Sequence, residues 1–61
     1  MQTIKTSGNR AVVINDKNGR VWANLYTNAR DGIAQASITP IKWNGSSVAN
    51  AMRWADKILA A

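Results

Sequence analysis

The 61-residue chain carries eight Lys and Arg against three acidic side chains, all Asp, for a net charge of +5, and it has no His, Cys or Glu. That composition excludes a disulfide framework, a thiolate zinc site and a nucleophile paired with histidine. At this length the chain 1–61 reads as one small domain, able to bury only about 60% of the surface its unfolded form exposes. Its stability must come from packing or self-association. No apolar run approaches the roughly 20 residues of a membrane-spanning helix. Residues 1–6, Met-Gln-Thr-Ile-Lys-Thr, lack the apolar core of a secretory signal. The expectation is a complete, soluble, cytoplasmic product in a reducing compartment, with no membrane association.

Residues 2–6 alternate weakly around Ile4 and predict a short edge strand ending near Ser7-Gly8-Asn9. Residues 10–15, Arg-Ala-Val-Val-Ile-Asn, are rich in β-branched side chains and predict a second strand. Asp16-Lys17-Asn18-Gly19 is turn chemistry, because Asn and Gly tolerate the positive φ of tight hairpins. Residues 20–28 return as the third strand, and a bulge at Gly19 would alter the register of this hairpin. A second turn is expected over 28–32, followed by a strand over 33–39. Pro40 has no ladder donor, so pairing should stop or move to an edge there. Ile41-Lys42-Trp43 then crosses towards the last element, and Asn44-Gly45 breaks the chain.

Ser46 or Ser47 caps a helix over about 47–60. Val48, Ala51, Met52, Ala55, Ile58 and Leu59 recur at three- and four-residue spacing and form its apolar face. Asn50, Arg53, Asp56 and Lys57 point away, with Trp54 at the border. The fold class is therefore α+β: a small antiparallel β-meander of three or four strands with one C-terminal helix on one sheet face. A single helix covers only one side of a sheet, so the other side stays open.

Strand alternation says what each side carries. Val12, Ile14, Val21, Ala23 and Leu25 face the helix. Asn9, Ala11, Val13, Asn15, Trp22, Asn24 and Tyr26 face the open side. In the last strand Ala34, Ala36 and Ile38 share one face, and Gln35, Ser37 and Thr39 are expected to extend the open platform. Arg20 and Lys17 sit at the turn end. Aromatics can stack on bases, amides can read base edges, and cations neutralise phosphate. The candidate nucleic-acid-binding residues are thus Lys17, Arg20, Trp22, Asn24 and Tyr26, with Arg10 and Arg30 as peripheral phosphate contacts. An equally simple reading makes Trp22 and Tyr26 shields for Val13 and the backbone. Trp43 and Trp54, which flank the helix junction and the helix border, are read as packing residues.

Chemistry of other kinds finds no support. Asp16, Asp31 and Asp56 fall in two turns and on a solvated helix face, so no carboxylate pair is implied. The four glycines are dispersed turn residues with neither a P-loop nor a dinucleotide fingerprint. No metal, cofactor or small-molecule substrate is expected, and the chain does not read as an enzyme. Its inferred architecture resembles the small DNA-binding domains that place a three-stranded sheet in the major groove and brace it with a C-terminal helix. The likeness is architectural, carried by no sequence motif. The function expected is a small non-catalytic nucleic-acid-binding accessory protein of phage, plasmid or bacterial type, for single strands or duplex. The alternative is a protein–protein module, a homodimer or small inhibitor, using the same Trp/Tyr face.

Overall fold

Two tight hairpins set the register of the first three strands. The computed structural model describes residues 2–29 and 33–60. Strand β1 (Gln2–Ser7) turns into β2 (Arg10–Lys17) through Gly8 and Asn9, with Gly8 at φ +62, a conformation that glycine adopts without a Cβ penalty. The second hairpin joins β2 to β3 (Arg20–Thr27) through Asn18 and Gly19 alone, at φ +53 and +79. Two successive positive φ angles match the I′ turn, whose twist suits the flanking strands. Asp16 and Lys17 therefore belong to β2, paired with Val21 and Arg20, and the ladder runs unbroken with no bulge at Gly19.

The sheet is antiparallel in the order β1-β2-β3-β4. Its last strand departs from the expectation. Residues 33–35 form one 3₁₀ turn, and β4 runs from Ser37 to Gly45, straight through Pro40 and the Ile41-Lys42-Trp43 segment expected to leave the sheet. The register explains how proline is tolerated. Leu25 alone separates Asn24 from Tyr26 on β3, while Thr39, Pro40 and Ile41 lie between their partners Lys42 and Ile38 on β4. At this bulge the Thr39 hydroxyl donates to the Leu25 carbonyl (3.0 Å) and accepts from the Ile41 amide (3.2 Å). A side chain thus replaces backbone ladder bonds where Pro40 has no N–H to give, on an edge strand, where one side of the backbone needs no partner. The turn expected over 28–32 lies partly outside the described residues. Within them, Asn28 has φ +57 and the Ala29 amide donates to the Asn9 carbonyl (2.7 Å).

Helix α1 (Val48–Ala60) begins after Ser47, whose hydroxyl accepts from the Asn50 amide (3.3 Å) and whose carbonyl accepts from Ala51 (3.1 Å). That is an N-cap: an oxygen supplied to amides that have no intrahelical partner. The core lies between α1 and one sheet face. Val12, Ile14, Val21, Ala23 and Leu25 meet Ala51, Ala55 and Leu59, with Trp43, Val48, Met52, Trp54 and Ile58 around them. Trp43 and Trp54 are therefore packing residues. The Trp43 ring lies over Gly45, so close that a Cβ there would fall 2.8 Å from Cζ2. Among the described residues no helix is long and apolar enough to cross a membrane.

Two stability measurements follow. Ala55 is 0% exposed under the sheet, so Ala55→Leu should lower stability by about 1–3 kcal/mol through overpacking. Thr39→Val keeps the shape but removes both bulge bonds, and should cost about 1–2 kcal/mol. Urea unfolding of each variant against wild type reads both.

Candidate functional site

On the face turned away from α1, side chains directly opposite one another form rows across the strands. Lys17 stands opposite Arg20 at the hairpin tip. Next come Gln2, Asn15, Trp22 and Asn44; then Ile4, Val13, Asn24 and Lys42; then Thr6, Ala11, Tyr26 and Ile38. Each four-strand row spans three inter-strand gaps, roughly 14 Å. The predicted set Lys17, Arg20, Trp22, Asn24 and Tyr26 is thereby brought onto one surface, together with Asn15, Ala11 and Val13.

The centre of this surface is dry. Ala11 is 0% and Val13 4% exposed, although α1 packs on the opposite side. Their largest neighbours on the face are Trp22 and Tyr26, each half-buried. Tyr26 is directly opposite Ala11, and Trp22 lies diagonal to Val13, within the reach of an aromatic side chain. The two rings therefore stand on the dry centre and still keep part of their surface in solvent. Shielding and ligand contact are compatible roles for an amphipathic aromatic.

Trp22 is flanked by a shallow cleft on each side. One, of about 540 Å³, is lined by Arg20, Val21, Trp22, Asn44 and Gly45. The other, of about 400 Å³, is lined by Gln2, Asn15, Asp16, Lys17 and Trp22. Each cleft thus offers an indole wall, at least one amide and one cation, and the second also holds the Asp16 carboxylate. Asn44 and Gln2 were not among the predicted site residues. The signal that finds them is the register, which places Asn44 opposite Trp22 and Gln2 opposite Asn15. Lys42, opposite Asn24, was missed for the same reason.

Charge is sorted between the two faces. The ion pair of Lys5 with Asp56 and the bonds of Arg10 lie on the helix side. The Arg10 guanidinium donates to the Ile58 carbonyl (3.3 Å) and the Leu59 carbonyl (2.8 Å), the last turn of α1. It braces a helix C-terminus, where a cation also suits the helix dipole, and so lies apart from the other candidates. Arg30 lies outside the described residues. Lys17, Arg20 and Lys42, all exposed, belong to the open face. Lys17 and Arg20 are like charges held directly opposite each other, an arrangement that costs a hairpin stability.

The last strand corrects the expected platform. Ile38 stands opposite Tyr26 on the open face, and Ser37 pairs with Thr27, on the opposite parity. Gln35 sits in the 3₁₀ turn, and Thr39 is committed to the bulge. The strand begins later than predicted and its bulge resets the alternation, so Lys42 and Asn44 take the places assigned to Gln35, Ser37 and Thr39. No protein-family model, curated protein or solved structure matches this chain.

The split between bracing and exposed cations has a stability signature. Arg10→Ala should lower unfolding free energy by about 1–2 kcal/mol, through the loss of two charged bonds to helix carbonyls. Arg20→Ala should leave it unchanged or raise it by up to about 0.5 kcal/mol, by relieving the facing lysine. Chemical denaturation of the two variants side by side checks the contrast.

Proposed function

We propose that this chain is a non-catalytic nucleic-acid-binding protein whose ligand lies on the open sheet face. The observation that carries the reading is the Lys17–Arg20 pair. Two cations face each other across a two-residue turn, on the same surface as Lys42 and beside an indole walled by amides. A repulsive pair is relieved when a polyanion bridges it, and the amides supply donors and acceptors for base edges and sugars. The chain has no His, Cys or Glu to serve acid–base or nucleophilic chemistry. Lack of cysteine suits a reducing compartment, and the reading places the protein in the cytoplasm.

A protein partner or second copy on this face is the second reading. It is favoured by Ile4 and Ile38, which remain 47% and 63% exposed on that surface. Exposed apolar side chains beside aromatics suit a compact protein interface.

Salt separates the two. Titration of a labelled oligonucleotide at about 50 and 200 mM salt should show affinity falling steeply with salt for the wild type. Lys17→Ala and Arg20→Ala should each weaken binding and shallow the log–log slope by about 0.7–0.9. Absence of binding at the lower salt, with concentration-dependent dimers in sedimentation that Ile38→Asp dissolves, would favour the protein interface instead.

A further inference from the structure

On the nucleic-acid reading above, we infer that the ligand is a single strand, lying across the sheet along the row Gln2–Asn15–Trp22–Asn44. A base stacks on Trp22, and the phosphates run on the side of Lys17 and Arg20. Two observations carry this beyond the general reading.

The first is the one-sidedness of the charge. A duplex receives a sheet in its major groove, about 12 Å wide, with a phosphate backbone on each wall. If the strands ran along the groove, the walls would meet the two edge strands. On the open face β4 offers Lys42, whereas β1 offers Gln2, Ile4 and Thr6, and Lys5 is turned to Asp56 on the helix side. If the strands ran across the groove, the walls would meet the two strand ends. The tip has Lys17 and Arg20, while the far row is Thr6, Ala11, Tyr26 and Ile38, with Arg10 turned to the carbonyls of α1. In either orientation one wall meets no cation among the described residues. A single strand has one backbone, and a charge-sorted face fits it.

The second is the pair of clefts. Trp22 lines both of two shallow, open clefts of about 540 and 400 Å³, each with an amide and a cation; Asp16, which also lines the second, shares the strand parity of the helix side through its pairing with Val21. Flat unpaired bases can enter such hollows and present both a ring face and an edge, as in single-strand platforms. Bases held in a duplex expose only their edges to a groove reader. The row of amides on either side of Trp22 supplies edge contacts, and the tip cations lie one row away, on the phosphate side.

The test uses the full chain with an oligothymidylate of about twelve nucleotides and a duplex of the same length, within the site sizes of sheet platforms. Affinity is read by anisotropy of the labelled oligonucleotide and stacking by quenching of tryptophan emission. The single strand should bind at least about tenfold more tightly than the duplex. Trp22→Ala should weaken it by about 5- to 150-fold, the range for losing one stacked base. Trp22→Phe, which keeps a ring and the strand, should retain affinity within about threefold but lose most of the quench. Far-UV circular dichroism checks that each variant folds; should Trp22→Ala fail, Trp22→Phe and the exposed-edge variant Asn44→Ala, expected to weaken binding severalfold, decide the matter. Equal or tighter duplex binding, or a quench that persists in Trp22→Phe, overturns the single-strand site. If binding still depends on Lys17 and Arg20, the nucleic-acid reading survives that result. No binding of either oligonucleotide at low salt overturns both.

Discussion

Everything in this molecule depends on how one short helix seats on one side of a four-stranded sheet. The contact is built around small side chains: Ala51 and Ala55 of the helix and Ala23 of the sheet, each at 0% exposure, share one core with Val12, Ile14, Val21, Leu25 and Leu59. Alanine lets the two backbones approach closely, so a 13-residue helix can exclude water from most of a sheet face. Trp43 and Trp54 extend the seal at its margins. Gly45 makes room for the Trp43 ring, a place where any Cβ would collide with it.

The helix is held at its ends and flank by polar contacts. Ser47 closes the amino end, Arg10 reaches from β2 to the carbonyls of the carboxyl end, and Lys5 pairs with Asp56 on the flank. The last is partly exposed and worth no more than about 1 kcal/mol. The Arg10 bonds matter more, because they satisfy carbonyls that have no partner within the helix. These contacts also commit two cations and a carboxylate to the helix side. What remains on the other face is a sheet surface bearing Lys17, Arg20 and Lys42.

That division gives the open face its character. The helix-covered side absorbs most of the aliphatic residues and leaves Trp22, Tyr26, the amides, Ile4 and Ile38 on the other face, around a dry floor of Ala11 and Val13. Trp22 and Tyr26 are half-buried beside that floor and serve stability by helping to keep water from it. Half-burial of the rings therefore does not choose between a structural and a recognition role. Charge placement and the clefts beside Trp22 are what favour recognition.

Local chemistry determined much of the architecture before any tertiary contact was known. Asn18-Gly19 dictates a two-residue hairpin, period-two alternation divides β2 and β3 into a core side and an open side, and the Val48 to Leu59 stripe defines the helix face. The residues Lys17, Arg20, Trp22, Asn24 and Tyr26 were legible as one surface because they sit on the strands of a single tight hairpin. The fourth strand was not legible. Pro40 argues locally against a ladder, and only the pairing of Thr39 with Leu25 shows how the strand passes through it. That bulge sets which side chains of β4 join the open face, bringing Lys42, Asn44 and Ile38 there. Arg10 was equally beyond reach: its partners lie 48 and 49 residues away, at the end of a helix. Short-range periodicity fixes what a strand shows to each side, whereas long-range register and helix docking decide which neighbours meet it.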